Sequence, residues 1–387
     1  MKSKSKKLQG AYVVTEPGCL NPYSGAHQHI QTGIQELQKY FVIEPILPHQ
    51  SSLDKIKSSR TRSGNRNLKI PEINLIQGTL IDLKVLALSS INSFKLLHQI
   101  LKRDVEFVYI RAAFLDPLPI LLELFKVPCF IEANGLQFEA RKKYYPSLLV
   151  SVNKLIEKLI YSSAKHVFFV GTYGDYWKLP GDNWSNVENG VEQDFVNSFS
   201  NHDKKIGDEI NIAFIARLMA YHHPELLIAA IKGIDSVARS KLCLHLVGDG
   251  FEEIKAALQD HIKVIDHGFL NRNSMQSLLR KVHIGLIPGA PEYQSQMKLF
   301  DYGASKCITI VPDTYNFRYW FDVSEIEFFQ SGSASELSSI LTKIICTPES
   351  YLQKGTRLHQ RIAEEFSWRK IFAEKSDVIK KCCSKSN

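Results

Sequence analysis

Lys298 and Asp301 stand three residues apart in the stretch Pro288-Gly289-Ala290-Pro291-Glu292-Tyr293-Gln294-Ser295-Gln296-Met297-Lys298-Leu299-Phe300-Asp301. An apolar run, Val282 to Ile287, leads into the Pro/Gly turn, and a polar loop then feeds a predicted helix whose first turn holds the lysine. A helix start presents unpaired N–H groups and the positive end of the helix dipole. The amides of Ser295, Gln296 and Met297, with the Lys298 ammonium beside them, therefore suit a phosphate. The three-residue spacing sets Asp301 on the same face, where a carboxylate accepts two vicinal hydroxyls. A ribose diphosphate carries both groups. The competing reading is an exposed helix pair worth only about 0.3 kcal/mol.

Other side chains offer complementary chemistry. Arg217 closes a predicted strand, Ile212 to Ala216, where a guanidinium grips a diphosphate in two-pronged fashion and stays charged at any working pH. Glu132 and Asn134, in Glu132-Ala133-Asn134-Gly135, follow a predicted strand from Val127 to Ile131. They lie at the strand end where α/β sheets bind ligands, which makes them candidates for sugar or acceptor contacts. A plain Asn-Gly turn with Glu132 capping the next helix is the alternative. His27 and His29 lie just past Gly25 and can shuttle a proton or hydrogen-bond a sugar, or simply face solvent. No Gly-x-x-x-x-Gly-Lys loop, Gly-x-Ser-x-Gly elbow or His-Glu-x-x-His pair occurs. Nor does any Asp-x-Asp pair that would bridge a diphosphate through a metal.

The elements that must position these residues alternate between strand and helix. Strands are predicted at Ala11–Thr15, Phe41–Leu47, Val105–Arg111, Val127–Ile131 and Lys165–Thr172, the last closing a first lobe. A second series runs Ile212–Ala216, Leu242–Val247, Val264–Asp266, Ile284–Ile287 and Thr309–Val311. Intervening helical patterns imply parallel, doubly wound sheets in an α/β chain. At 387 residues the chain exceeds a single core. The expected division is 1–200, 201–370 and a tail 371–387 that packs back on the first domain, with Ser198 to Asp208 as the linker. The apolar stripe of Pro146 to Ala164 fits a helix packed on the sheet or one resting on a membrane.

Several motifs resemble those of retaining, nucleotide-sugar-dependent glycosyltransferases of the GT-B fold, family 4 type. Ser295-x-x-Lys298-Leu299-Phe300-Asp301-Tyr302 is similar to their Ser-Pro-Leu-Lys-Leu-Phe-Glu-Tyr segment, Val247-Gly248-Asp249-Gly250 to their Val-Gly-Asp-Gly turn, and Asn189-Gly190-Val191-Glu192 to their Asn-Gly-Val-Asp. Glu-Phe-Ser-Trp at 365–368 resembles the start of their closing helix. The resemblance implies two Rossmann-like domains facing a cleft. A UDP- or GDP-sugar is the expected donor, its ribose on the Asp301 carboxylate and its diphosphate on the preceding amides and Arg217. The glycine-rich loop is expected at Gly25 and Ala26, the base is expected at Asp266-His267-Gly268-Phe269, and Gly250 is expected among the donor contacts. The family's second cation, a lysine five residues after the arginine, is replaced here by His222, which introduces a titratable group near neutrality. Glu292 lies nine positions before Asp301 rather than at the family's spacing, and Lys306 stands where a glycine is usual.

The implied reaction is transfer of a hexosyl group to a hydroxyl with retention, without metal or other cofactor. A nucleotide-sugar epimerase of the same fold, or a silent nucleotide-sugar or carbohydrate-binding scaffold, are the alternatives. Donor incubated without acceptor and titration with UDP and GDP separate them. The acceptor is expected to be a saccharide or a lipid-linked saccharide, in surface polysaccharide or glycolipid synthesis. The formal charge of +8 is concentrated in the first half, at Lys2 to Lys7 and at Lys55 to Lys69. It favours weak association with anionic membrane, and no nucleic acid partner is expected. Seven scattered cysteines and no apolar run of membrane-spanning length suggest a cytoplasmic chain, peripheral at the inner membrane face.

Overall fold

The predicted alternation resolves into two parallel sheets of six strands each. The computed structural model describes residues 7–16, 19, 25–48, 73–111, 114–136, 138–142 and 145–384. Asn21 to Ser24 of the expected glycine loop, and the basic residues at 2–6 and 55–69, lie outside them. One unit comprises Met1–Val187 with Phe372–Asn387, and the other Glu188–Ile371.

In the first unit, β1 (Gln9–Val14), β2 (Val42–Ile46), β3 (Phe107–Arg111), β4 (Cys129–Ala133), β5 (His166–Val170) and β6 (Trp184–Val187) pair in the order β2-β1-β3-β4-β5-β6. Its helices are α1 (Gly25–Gln38), α2 (Leu75–Leu101), α3 (Leu118–Leu124), α4 (Ser147–Ser162) and α5 (Tyr173–Trp177). β3, β4 and β5 are buried along their whole length, which is why they read as near-continuous apolar runs. α2 opens on a capping box. The Asn74 side chain accepts the Gln77 N–H at 2.9 Å and the Gln77 side chain accepts the Asn74 N–H at 3.4 Å.

Two expectations change here. Lys165–Thr172 is not the last strand, because β6 follows it; as a four-residue, half-buried edge strand, Trp-Ser-Asn-Val carries no apolar run to reveal it. Gly25 and Ala26 form the first turn of α1 rather than a loop before it.

In the second unit, β7 (Ile210–Arg217), β8 (Leu242–Asp249), β9 (Lys263–Asp266), β10 (Ile284–Leu286), β11 (Ile308–Pro312) and β12 (Glu327–Phe329) pair in the order β12-β11-β10-β7-β8-β9. The helices are α6 (Gln193–Asn197), α7 (Pro224–Lys232), α8 (Ser236–Arg239), α9 (Glu252–Leu258), α10 (Arg272–Leu279), α11 (Met297–Ala304), α12 (Tyr315–Trp320), α13 (Ala334–Cys346) and α14 (Glu349–Glu365). The last helix, α15 (Trp368–Ser384), carries the chain into the segment that belongs to the first unit. From β7 the chain steps outward through β8 and β9, then returns to lay β10 on the other side of β7. The strand order therefore reverses between β7 and β10, which opens a crevice at their carboxyl ends.

The division between units falls at 187/188 rather than at 200. Val191, Phe195, Val196 and Phe199 are buried in the second unit's core against Leu279 and Val282, and Val191 bridges Ser367. Ser198 to Asp208 is consequently no linker, and Lys204 Nζ donates to the Val282 carbonyl at 2.6 Å.

Candidate functional site

Three loops meet at the reversal point of the second sheet. Gly248, at φ +128°, would place a Cβ 1.9 Å from the Ala216 carbonyl oxygen, so the β7 and β8 ends close only with glycine there. Gly289, in the loop after β10, would place a Cβ 2.5 Å from the Tyr221 carbonyl oxygen and 2.4 Å from His223 Cδ2. The loop that leads to α11 thus lies directly on residues 221–223, which follow β7. Arg217 ends β7 exposed, and among the described residues its guanidinium has no hydrogen bond or ion pair.

Lys298, in the first turn of α11, is buried to 8% exposure. Its Nζ has no hydrogen-bond partner among the described residues and lies 5.5 Å from the centroid of the Phe214 ring. Burial pulls its pKa down to about 7. His222 packs edge-on to the same ring, 6.0 Å between centroids, and its Nδ1 accepts the Met219 N–H at 3.1 Å. Burial first, then the Lys298 and His223 charges, lower the His222 pKa to about 3. His222 is therefore neutral throughout the physiological range. The titration near neutrality expected of it is corrected, because among the bases beside Phe214 it is Lys298 whose pKa falls there.

The loop before α11 is anchored from below. Ser295 Oγ accepts from Asn189 Nδ2 at 2.7 Å and donates to Glu188 Oε2. Glu188 also accepts from Asn316 Nδ2 at 2.8 Å and from the Asn189 N–H at 2.9 Å. Burial pushes the Glu188 pKa up to about 7 against the lowering effect of those hydrogen bonds. With its hydroxyl turned inward, Ser295 has only main chain to offer a ligand. Gln296 is buried at the N-cap of α11 and Met297, half-buried, begins the helix, whose first amides have no intrahelical acceptor.

Asp301 diverges from Lys298 despite the shared spacing. Its Oδ1 accepts from Arg272 Nη1 at 2.6 Å, and Arg272 Nη2 donates to Glu192 Oε2 at 2.5 Å. Burial raises the Asp301 pKa and Arg272 opposes the rise. Glu292 caps α12, accepting the Tyr315 N–H at 2.8 Å. Gly250, at φ +91°, continues the turn after β8, and Phe269 is 53% exposed.

The first unit holds the remaining candidates. Glu132, at the end of β4, is 0% exposed. Oε1 accepts from Arg111 Nη1 at 2.9 Å and Asn134 Nδ2 at 3.2 Å; Oε2 accepts from Tyr109 Oη at 2.6 Å and Lys375 Nζ at 2.7 Å. His29 Nε2 lies 3.3 Å from Oε2. Burial alone would raise the Glu132 pKa, but His29, Lys375 and Arg111 hold it well below the usual carboxylate range. This geometry places the Glu132 carboxylate in a buried ion cluster, to which the half-buried Asn134 donates. His27 is half-buried in the first turn of α1.

Sequence reading missed Glu188, Arg272 and Lys375 as site-forming residues. Glu188 adjoins the Asn-Gly-Val run, but its contact with Ser295 spans 107 residues, which no local pattern reports.

No family model matches the chain, and no curated protein matches it by sequence. Solved structures do match. HepE of Anabaena in complex with UDP is 10% identical, with a TM-score of 0.67 over 97% of this chain and 100% of that one. Sucrose-phosphate synthase of Thermosynechococcus elongatus is 12% identical, with a TM-score of 0.68 over 96% and 98%. The UDP-forming α,α-trehalose-phosphate synthase of Burkholderia xenovorans, in complex with glucose-6-phosphate, is 10% identical, with a TM-score of 0.66 over 97% and 99%. The likeness shows the fold, which is GT-B, with two Rossmann-like units.

Proposed function

We propose that the chain is a retaining glycosyltransferase that moves a hexosyl group from a UDP- or GDP-sugar to a hydroxyl of a saccharide or lipid-linked saccharide. The observation that carries this reading is Lys298, a buried amine with no hydrogen-bond partner among the described residues, at the crevice where the second sheet's strand order reverses. A lone buried lysine is costly to the fold; a diphosphate seated on the first amides of α11 supplies the missing counter-charge. Arg217, on the neighbouring strand end, provides the second cation that His222 does not. Arg272 orients the Asp301 carboxylate toward a ribose diol. That HepE was crystallised with UDP and with UDP-glucose supports the same ligand class.

The acceptor oxygen attacks the anomeric carbon on the face from which the diphosphate departs. The sugar–phosphate bond breaks as the new bond forms, and the departing phosphate takes the acceptor proton. Charge stabilisation of the leaving diphosphate is then the dominant catalytic contribution, supplied by Lys298, Arg217 and main-chain amides without a metal. Arg217→Ala is expected to lower kcat/KM on the order of a hundredfold with EDTA present throughout. Turnover by the variant at near the wild-type rate would remove Arg217 from the reaction. The anomeric proton coupling of the first-formed product tests retention.

Nucleotide binding should also depend on pH through Lys298. The free lysine titrates near 7, and pairing with a diphosphate raises its pKa, so binding above pH 7 takes up a proton. Affinity for UDP, measured by calorimetry, is expected to be flat just below pH 7 and to weaken by about tenfold per unit from pH 7 to 9. Glu188 titrates in the same range, so Glu188→Gln serves as the control and should leave this slope in place. A pH-independent Kd across that window would show that Lys298 does not meet the phosphate.

A further inference from the structure

We infer that the outer face formed by α2 and α4 is a docking surface for an anionic lipid bilayer, on which the two helices lie without crossing it. Among the described residues, little of α2 is buried. In its first five turns only Gly78 is buried, and its remaining buried residues, Ser93, Leu96, Leu97 and Ile100, fall in the last three turns. Ile76, Leu80, Leu83, Ile91 and Phe94, which recur every three or four residues or a multiple of that spacing, are each more than half exposed. α4 repeats the pattern. Leu149, Val150, Asn153, Ile160 and Tyr161 are buried, while Leu148, Leu155 and Leu159 are more than half exposed. The sequence stripe expected to pack on the sheet is thus split, and only one edge of it does so. The two helices are neighbours: a Cβ on Gly78 would meet Leu149 Cδ1 at 2.5 Å, and Asn153 Nδ2 donates to Asp82 Oδ2 at 3.0 Å.

Charge selects the occupant. Lys84, Lys95 and Lys158 are exposed on these helices, whereas the Lys154 ammonium lies over the Tyr176 ring, 4.6 Å from its centroid. The carboxylates of the two helices are turned inward, Asp82 to Arg141 and Asn153, and Glu157 to Tyr161 at 2.8 Å. A second copy of the chain laid across this face would set lysines against lysines with no acid between them. Lipid phosphates pair with those lysines while the leucines enter the acyl boundary and the lysine stems reach outward. No helix of the described residues is long and apolar enough to cross a membrane, so the helices rest in the interface. This surface is separate from the basic segments at 2–7 and 55–69, and it does not depend on the transferase reading.

The test is co-sedimentation of the full chain with vesicles of phosphatidylcholine plus phosphatidylglycerol, and of phosphatidylcholine alone, at low and high salt. Wild type should pellet with the mixed vesicles and retain part of its binding at high salt, because apolar burial is not screened. Leu155→Ser with Leu159→Ser should reduce the partition coefficient on the order of tenfold, as should Leu80→Ser with Ile91→Ser. Either pair tests the surface if the other fails to fold. Cooperative thermal unfolding of the whole chain, with wild-type circular dichroism at the assay temperature, reports that each variant is intact. Vesicle binding unchanged in both pairs overturns the proposal, and so does a wild type that stays in the supernatant. A wild-type dimer in light scattering that the same substitutions separate, without vesicle binding, overturns it in favour of a second copy.

Discussion

Lys298→Met is expected to strengthen the fold and to weaken nucleotide binding in one step. The lysine titrates near 7 in the folded chain against about 10.4 in an unfolded one. Between those values the unfolded state binds more protons, so stability rises with pH across that window and the full penalty applies below pH 7. The shift corresponds to about 4 kcal/mol at neutral pH. Against this, the contact of Nζ with Phe214 returns only about 1 kcal/mol. Methionine fills a similar volume with no charge to desolvate. The variant should therefore unfold at a denaturant midpoint above that of wild type at pH 7, with the difference fading toward pH 10. UDP affinity should fall about a hundredfold, the scale of one charge-assisted phosphate contact. A variant that is less stable, or that binds UDP as wild type does, would mean that Lys298 has a structural partner and no ligand. Residues that destabilise the free protein are expected where a ligand completes the site, and the two measurements moving in opposite directions separate that case from ordinary packing.

What could be read in advance follows from the range of each interaction. The β10-to-α11 stretch was legible because a strand, a Pro/Gly turn and a helix start are all local signals, and Lys298 lies at that start. Strand order could be anticipated only as parallel and doubly wound. The position of the reversal between β7 and β10 depends on pairings such as Gly285 with Ala213, which leave no mark in either segment. β6 and β12 went unseen because short strands lack enough residues for a period to register. The protonation states were out of reach for a different reason. His222 and Lys298 owe their lowered pKa values to burial by residues distant in sequence, and the reading that placed the titrating group at His222 had no access to that burial. Asp301 shows the limit of helical spacing itself. Three residues from Lys298 it shares a face, yet Arg272 draws its carboxylate one way while Lys298 turns under Phe214.

Glu132→Gln is expected to be a folding defect and not a catalytic one. The carboxylate lies between Arg111 and Lys375 and receives Tyr109 and Asn134 as well. Removing its charge strands a buried guanidinium, a change that costs about 3–5 kcal/mol. Lys375 loses its counter-charge as well: burial lowers its pKa, and Glu132 is the main influence that opposes the fall. In a unit of this size each kcal/mol moves the midpoint by about 2–4 °C, and thermal unfolding should fall by about 10 °C. Affinity for UDP, governed by the second unit, should stay within about twofold of wild type when measured well below the midpoint. A sugar-contacting or proton-transferring carboxylate predicts the reverse, a loss of about 10²–10⁴ in turnover with little change in melting. The double substitution Glu132→Gln with Lys375→Met sharpens the distinction. It removes one of the stranded cations, so its stability should exceed the sum of the two single effects by about 1 kcal/mol or more. Strict additivity would mean that Lys375, and with it the C-terminal segment, is not held to β4 through this carboxylate.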